Sequence, residues 1–465
     1  MTAPSDPVNL LLSNELKLTG LSDSLREEWV KKLTLPNPKW LENERMGRWN
    51  RDTPPTLKFY RKSGKNGIVV PRGTIRQVLS LFKQKGIRHT LEDNRRELAP
   101  VDMPFTGTLK AFQQIAAGEM LRKEFGTLCA PTGSGKTVMA LHMISQRRQP
   151  AVVVVHTKDL ACQWVKRITD FLAIAENEIG FIGAGKKRIG ERITVAMVQS
   201  LYKCVEEVVP CCGYLIVDEC HRAPSRTFTD AISAFDSRYM LGLSATPWRR
   251  DKLSSLIFWY LGDLHHEIQQ AGLVEKGHIL EAQIIVRETG FKAFHDPVTE
   301  YSRMLSELTA DDGRNRLIAA DVADVAKQGE GVCLVLTDRK LHAETLNALL
   351  HYKYRLPSAL LTGDLTMSQR REVVARLNRG EIAVLVATGQ LIGEGFDCSN
   401  LSTLFLATPI RFSGRVLQYL GRVLRSAPGK TRARVYDYVD VNVDVLCAAA
   451  RARQSVYNNT RESDV

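Results

Sequence analysis

Short apolar runs separated by polar, helix-forming stretches recur along most of this chain. Thr127-Leu128-Cys129-Ala130, Ala151 to Val155, Ile193 to Met197, Tyr214 to Val217 and Tyr239 to Leu243 make a first series. Val332 to Leu336, Ala359 to Leu361, Ile382 to Val386, Thr403 to Leu406 and Val435 to Tyr438 make a second. Runs that are apolar throughout, rather than alternating, suit parallel strands covered on both faces. The pattern predicts an α/β protein with two tandem domains of parallel sheet, at 105–275 and 316–457. The connector, 276–315, pairs an extended part (Ala282 to Val286) with a helical part (Tyr301 to Leu308). A polar tail follows from 458 to 465.

Residues 1–104 carry a different pattern and predict a small α+β domain. Ser24-Leu25-Arg26-Glu27 has the form of a capping box, and Leu25, Trp29 and Leu33 recur at helical spacing. Pro36-Asn37-Pro38 should stop that helix. Leu57 to Arg61 and Ile68 to Val70 predict a hairpin across Gly64 and Asn66-Gly67. A helix follows Pro71-Arg72-Gly73, with Ile75, Val78, Leu79 and Phe82 on one face and Gly86 at its end.

Charge changes the picture of that domain. The whole chain carries +13, which suggests a polyanionic partner. Lys58, Arg61, Lys62, Lys65, Arg72, Arg76, Lys83, Lys85, Arg88, Arg95 and Arg96 face only Glu92 and Asp93 over their stretch. Arg45, Arg48 and Arg51 surround Trp49. Arginine beside an aromatic ring can pair with phosphates and stack on bases, so Trp49 and Arg72 are candidate nucleic-acid contacts. A solvated hairpin face is the alternative, and Trp29 reads as core.

Composition excludes several classes. No apolar run approaches the ~20 residues of a membrane span. The first residues lack a basic region and an apolar stretch, so no secretory signal is expected. Nine cysteines without Cys-x-x-Cys spacing argue for a reducing compartment and against a zinc or iron–sulfur site. The cytoplasm of a bacterium, or of a host infected by a phage, is the expected location.

The chemistry starts at Ala130-Pro131-Thr132-Gly133-Ser134-Gly135-Lys136-Thr137. An apolar strand leads in and a helical run follows, the context a phosphate loop needs. Thr132, Gly133, Ser134 and Gly135 would turn backbone N–H groups on a triphosphate. Lys136 would reach its β- and γ-phosphates, and the Thr137 hydroxyl would hold Mg²⁺. Leu215-Ile216-Val217-Asp218-Glu219-Cys220-His221 is the second signal. Its strand delivers two adjacent carboxylates: Asp218 to hold Mg²⁺, Glu219 to orient or deprotonate the attacking water.

Together these motifs resemble the superfamily 2 helicases and translocases of the DEAD/DEAH type, here with a DECH box. The match runs over roughly 105–440. The resemblance implies two RecA-like domains, ATP and Mg²⁺ as cofactors, and a nucleic-acid partner. It assigns adenine reading to Gln113, within Leu109-Lys110-Ala111-Phe112-Gln113, and coupling to Ser244-Ala245-Thr246. Thr157 takes the place of a phosphate-contacting residue, and Gly183 to Arg188 suits a strand-tracking loop. Gln418-Tyr419-Leu420-Gly421-Arg422-Val423-Leu424-Arg425 resembles the arginine-finger motif, with Gln418 at the nucleotide and Arg422 and Arg425 on the γ-phosphate. Thr388-Gly389 with Gly393 to Asp397, and Leu361-Thr362-Gly363, occupy places where the second domain meets the strand.

The XPB/UvsW-like branch is the nearest in pattern, with Arg250 standing where the XPB segment has glutamate. The resemblance implies a phage or bacterial enzyme acting on branched or forked DNA in repair, recombination or replication. Three readings stay open: a DNA helicase, a double-strand translocase serving a larger nuclease or remodelling assembly, and a nucleotide-switched binder. RNA also stays open as the strand.

Overall fold

The computed structural model describes residues 7–459 apart from 223–225, 246–252, 270–271, 274–279, 390–397, 399, 411–418, 421–422, 424–429 and 431–432. The chain divides into two compact units, Met1–Ala130 with Gly135–Ile268, and Pro131–Ser134 with Gln269–Val465.

In the first unit an eight-stranded sheet has the order Lys186–Arg188, Gly180–Gly183, Ile193–Met197, Ala151–Val155, Tyr214–Val217, Tyr239–Ser244, Phe125–Cys129, Leu264–Glu267. All neighbours run parallel except the hairpin that joins the first two. Ala151–Val155 is buried at every position, as its unbroken valine run requires. The segment expected as a strand-tracking loop, Gly183 to Arg188, is that hairpin. Ala184 and Gly185 turn it with φ of 50° and 81°, and Lys186–Arg188 forms an exposed edge strand.

The first ninety-odd residues form an α+β layer against this sheet. Its five strands are ordered Arg61–Ser63, Gly67–Pro71, Glu15–Thr19, Val8–Leu12, His89–Asp93. The expected hairpin forms from Arg61–Ser63 and Gly67–Pro71, while Thr56–Lys58 leaves to pair with Thr34–Pro36. The first helix, Asp23–Lys32, starts two residues earlier than its capping-box pattern suggests, because Ser22 supplies the oxygen for Leu25 N–H. The helix Ile75–Lys85 ends at Gly86, whose φ of 64° only glycine adopts cheaply.

This layer does not close a core of its own. Leu10, Leu16, Leu18, Trp29, Val70 and Phe82 belong to one continuous apolar cluster with Phe125, Leu215, Phe235, Met240 and Trp259. At Gly73 a Cβ would stand 2.4 Å from the Phe258 carbonyl oxygen and 2.5 Å from that of Trp259, so only glycine fits the contact.

Here the expected basic face has to be corrected. Arg72 is 2 % exposed and donates to the carbonyls of Phe235 (3.2 Å) and Ser237 (2.7 Å). Burial pulls its guanidinium down to about 9, still protonated at neutral pH. A side chain so enclosed cannot touch a nucleic acid. Arg95 turns onto Asp93 and Glu124, and Arg96 onto Asp236. The charges counted on that stretch therefore include three that fasten the layer to the sheet. Trp49, by contrast, is 85 % exposed, with Arg45, Arg48 and Arg51 exposed around it.

The second unit holds a six-stranded sheet, parallel throughout: Ala282–Thr289, Ala433–Asp440, Leu401–Leu406, Val332–Thr337, Val384–Thr388, Ser358–Leu361. The extended part of the expected connector is thus an edge strand of this sheet, paired along its whole length with Ala433–Asp440. Buried ion pairs pin the flanking helices: Arg314 on Asp440, and Arg453 on Asp437 with Tyr457.

Candidate functional site

Strand Phe125–Cys129 is fully buried and fixes where the phosphate loop begins. Ala130 N–H donates to the Ser244 carbonyl (2.9 Å), which ties the loop to the end of the neighbouring strand. Gly133 and Gly135 take φ of 91° and 85°, conformations that let consecutive N–H groups converge. Ser134 Oγ closes the loop on the Pro131 carbonyl at 2.7 Å. Lys136 opens the helix Lys136–Arg147 and its ammonium donates to the Ala130 carbonyl (2.8 Å). Thr137 follows in the first helical turn.

Gln113 is brought beside this loop. Its Oε1 accepts from Lys110 N–H (2.9 Å), and its Nε2 lies 2.4 Å from where a Cβ on Gly135 would be. Glycine at 135 is favoured by its backbone angle, and any side chain there would also push the Gln113 amide aside.

Asp218 sits just past Tyr214–Val217 and is buried. Its Oδ2 accepts from Trp164 Nε1 (2.8 Å) and its Oδ1 from Glu219 N–H (2.9 Å). Burial, then the charge of Glu219, pushes its carboxyl up to about 6; the Trp164 bond and the nearby Lys136 ammonium pull the other way. Glu219 is held at φ 50°, a left-handed angle that costs a residue with a side chain on the order of 1 kcal/mol or more. Its carboxylate lies 3.3 Å from His221 Nδ1, which is also 3.1 Å from Ser244 Oγ. One imidazole thus joins the acidic pair to Ser244, the first residue of the coupling motif. Thr246 lies outside the described residues.

These groups fit a magnesium–triphosphate. A buried carboxylate whose ionisation is held back by burial and a like charge gains from a cation. The donors, the Thr137 hydroxyl and the Asp218 carboxylate, are all oxygen, the set Mg²⁺ prefers. When bound, the metal would screen phosphate charge. Lys136 and the loop N–H groups would hold the β- and γ-phosphates, and Glu219, steered by His221, would hold or take a water proton. The described residues contain no His/Cys/Asp/Glu cluster with metal-site geometry. Cys129 and Cys333 are buried thiols, each raised to about 12 by burial.

The expected strand contacts fare unevenly. Thr157 is half-buried and caps the helix Lys158–Leu172 by accepting from Leu160 N–H (3.4 Å). Thr388 ends its strand half-buried. Thr362 is only 6 % exposed, while Gly363 beside it is exposed. Gln418, Arg422 and Arg425 lie outside the described residues, as do Gly393 to Asp397. Tyr419, from the arginine motif, is described. Its hydroxyl donates to the Gly389 carbonyl (2.8 Å) and would meet a Cβ on Gly389 at 2.5 Å.

Sequence reasoning missed three groups that the geometry brings in: Trp164 on Asp218, His221 on Ser244, and Tyr419 on Gly389. A buried indole N–H must find an acceptor, so Trp164 carries a signal of sorts, though nothing in the sequence names the acceptor.

A phosphate loop on one parallel sheet, an acidic pair one strand removed on the same sheet and a second parallel-sheet unit define an ATP-hydrolysing enzyme of the helicase class. Residues 105–249 match the family described as "Type III restriction enzyme, res subunit", and residues 315–427 match "Helicase conserved C-terminal domain". Both segments are those of superfamily 2 helicases, and XPB and UvsW proteins are among the relatives of this chain. It is 24% identical over 381 residues to "Putative ATP-dependent RNA helicase L396" of Acanthamoeba polyphaga mimivirus, covering 77% of this chain and 69% of that one. It is 26% identical to "DNA 3'-5' translocase XPB2" of Sulfurisphaera tokodaii (68% and 78%) and 24% identical to "ATP-dependent DNA helicase uvsW" of Enterobacteria phage T4 (71% and 68%). Among solved structures, a fragment of a putative HsdR subunit of a type I restriction enzyme from Vibrio vulnificus shares the fold, with a TM-score of 0.57 at 18% identity, over 94% of this chain and 81% of that one. No described helix is long and apolar enough to cross a membrane.

Proposed function

We propose that this chain is an ATP-driven DNA motor that unwinds or migrates branched DNA in repair, recombination or replication. The observation that carries the motor reading is the run of contacts from Asp218 through Glu219 to His221 and Ser244, with the Lys136 ammonium close enough to act on the Asp218 charge. It gives the hydrolytic site a physical route to the segment that follows Ser244. The printed names of the XPB2 and uvsW relatives favour DNA over RNA.

In this reading Gln113 and Gln418 contact the nucleotide, Thr137 and Asp218 would hold Mg²⁺, and Arg422 and Arg425 would stabilise charge on the γ-phosphate. Thr157, Thr362 and Thr388 contact the strand backbone. Trp49 and its three arginines provide a further platform in an N-terminal domain of residues 1–104.

Measuring ATP turnover against forks, four-way junctions, plain duplex, single strands and RNA duplex tests this. Strongest stimulation by branched DNA, with strand displacement, is expected. Preference for RNA duplex would overturn the DNA assignment, and turnover indifferent to any nucleic acid would overturn the motor. A second reading, a double-strand translocase serving a nuclease assembly, draws on the restriction-enzyme family match. Stimulation by long duplex without strand separation would select it.

A further inference from the structure

The second unit carries an aromatic ring in a place that the nucleotide chemistry does not use. Phe294 is 91 % exposed. A single exposed apolar side chain is ordinary in itself. What distinguishes this one is the rigidity of the loop that carries it. Glu307 accepts from the N–H groups of Phe294 (3.0 Å) and His295 (3.3 Å), and also pairs with the His295 ring. Asp296 accepts from Val298 N–H (3.0 Å), Thr299 N–H (2.6 Å) and the Thr299 hydroxyl (2.7 Å). On the near side Phe291 is buried, and its carbonyl accepts from Asn442 Nδ2 at 3.2 Å. The backbone is thus clamped before and after a ring that packs on little besides its neighbour His295. Clamping of this kind lowers the entropy cost of using the ring as a contact.

The location gives the ring a target. Phe294 follows strand Ala282–Thr289, and all six strands of this sheet run parallel. The loop therefore emerges at the carboxyl edge, where open parallel sheets place their ligands. Thr388 and Thr362 leave the sheet at that same carboxyl end, from strands four and five places away across it, about 20–24 Å at the usual strand spacing. So does Arg339, whose guanidinium donates to Ser302 Oγ (3.1 Å) just beyond the Phe294 loop. Lys292 is exposed there, as is Lys340, whose ammonium pairs with Asp364. Cations that meet phosphates, next to a fixed ring that offers a flat apolar face, are the two parts of a single-strand platform.

We propose that Phe294 is a base-stacking contact for the translocating strand, seated at the carboxyl end of the second unit's sheet, across from its phosphate-contacting turns. The proposal rests on the nucleic-acid motor reading. It assigns the strand a side-chain contact that the backbone-directed threonines do not supply.

The test uses the full-length chain with Phe294→Ala and Phe294→Trp, and a short single-stranded DNA carrying 2-aminopurine at successive positions. The alanine variant should bind roughly tenfold more weakly, the scale of one lost base–aromatic stack. Its salt slope should stay that of the wild type, because no phosphate contact is lost. At one position the probe's quenching should disappear in the alanine variant and return with tryptophan. Equal melting temperatures check that the fold is intact. If the wild type binds the strand and both variants match it in affinity and quenching, the contact is overturned. If the wild type binds no single strand, this contact is overturned, and ATP turnover with duplex and branched DNA decides separately whether the motor reading stands.

Discussion

Replacing Arg72 with alanine separates a structural arginine from a nucleic-acid contact. The side chain is buried and satisfies two carbonyls, those of Phe235 and Ser237. Each buried acceptor left without a donor costs about 1–3 kcal/mol, so the pair costs about 2–6 kcal/mol. Relief from holding a buried cation offsets part of this, by a few kcal/mol at most, because the carbonyls were its compensation. The truncation also leaves a cavity beneath the Phe125 ring, over which the guanidinium sits at 5.4 Å. A net loss of about 3 kcal/mol is expected, which lowers the melting temperature of a unit this size by about 6–12 °C. Differential scanning fluorimetry reads that loss. Binding to a single strand, titrated over salt, reads the alternative: a phosphate contact would reduce the slope of log K against log salt by about one. An unchanged melting temperature together with a shallower slope would refute the structural role. Arg72→Lys should recover little, since one ammonium cannot reproduce the guanidinium fork.

Three other outcomes are expected. Lys136→Ala should abolish ATP hydrolysis while leaving strand binding largely intact, as filter binding and phosphate release will show. Asp218→Asn should stabilise the metal-free, nucleotide-free protein at pH 7. The Asp218 carboxyl titrates near 6 when folded against 3.8 in its ordinary state, so its stabilising share is complete below about pH 4 and is lost as pH rises through 6. About two pH units amount to about 3 kcal/mol. The asparagine amide can serve only one of the two donors now on Asp218, which takes back about 1 kcal/mol. The gain should therefore be about 2 kcal/mol at pH 7 and reverse to a loss of about 1 kcal/mol below pH 4, and an equal shift at both pH values would exclude this origin. Gly389→Ala should depress nucleic-acid-stimulated ATP turnover, because the added methyl would stand 2.5 Å from the Tyr419 hydroxyl. Adding Tyr419→Phe should restore part of the rate; no recovery in the double variant would mean that the crowding is not the cause.

The sheets were legible because their strands are apolar throughout. Ala151–Val155 and Leu401–Leu406 are buried at every position, so their runs stand out against any helix. Edge strands were harder. Lys186–Arg188 is wholly exposed and reads as a basic loop; only the Ala184-Gly185 turn makes it a strand. Leu10, Leu12, Leu16 and Leu18 alternate as half-buried strands do, yet nothing local says that they share a core with Phe235 and Trp259. Charge was the least legible quantity. Arg72, Arg95 and Arg96 count as surface cations until their acceptors are known. Those acceptors lie far along the chain, at Ser237, Glu124 and Asp236. The nucleotide site shows the same division. Its loop and acidic pair follow from residue types at fixed spacing, whereas the indole on Asp218 and the imidazole on Ser244 depend on how strands and helices come together.

The glycine at 73 also constrains how this architecture can change over time. With main chain laid against main chain there, the amino-terminal layer is not a bead that shuffling could exchange for another. A replacement would have to arrive with its own glycine at the same spot and its own leucines for Phe235 and Trp259 to lie on. Diversification of this protein should therefore proceed by remodelling exposed tips such as the one around Trp49, with the seam itself inherited whole.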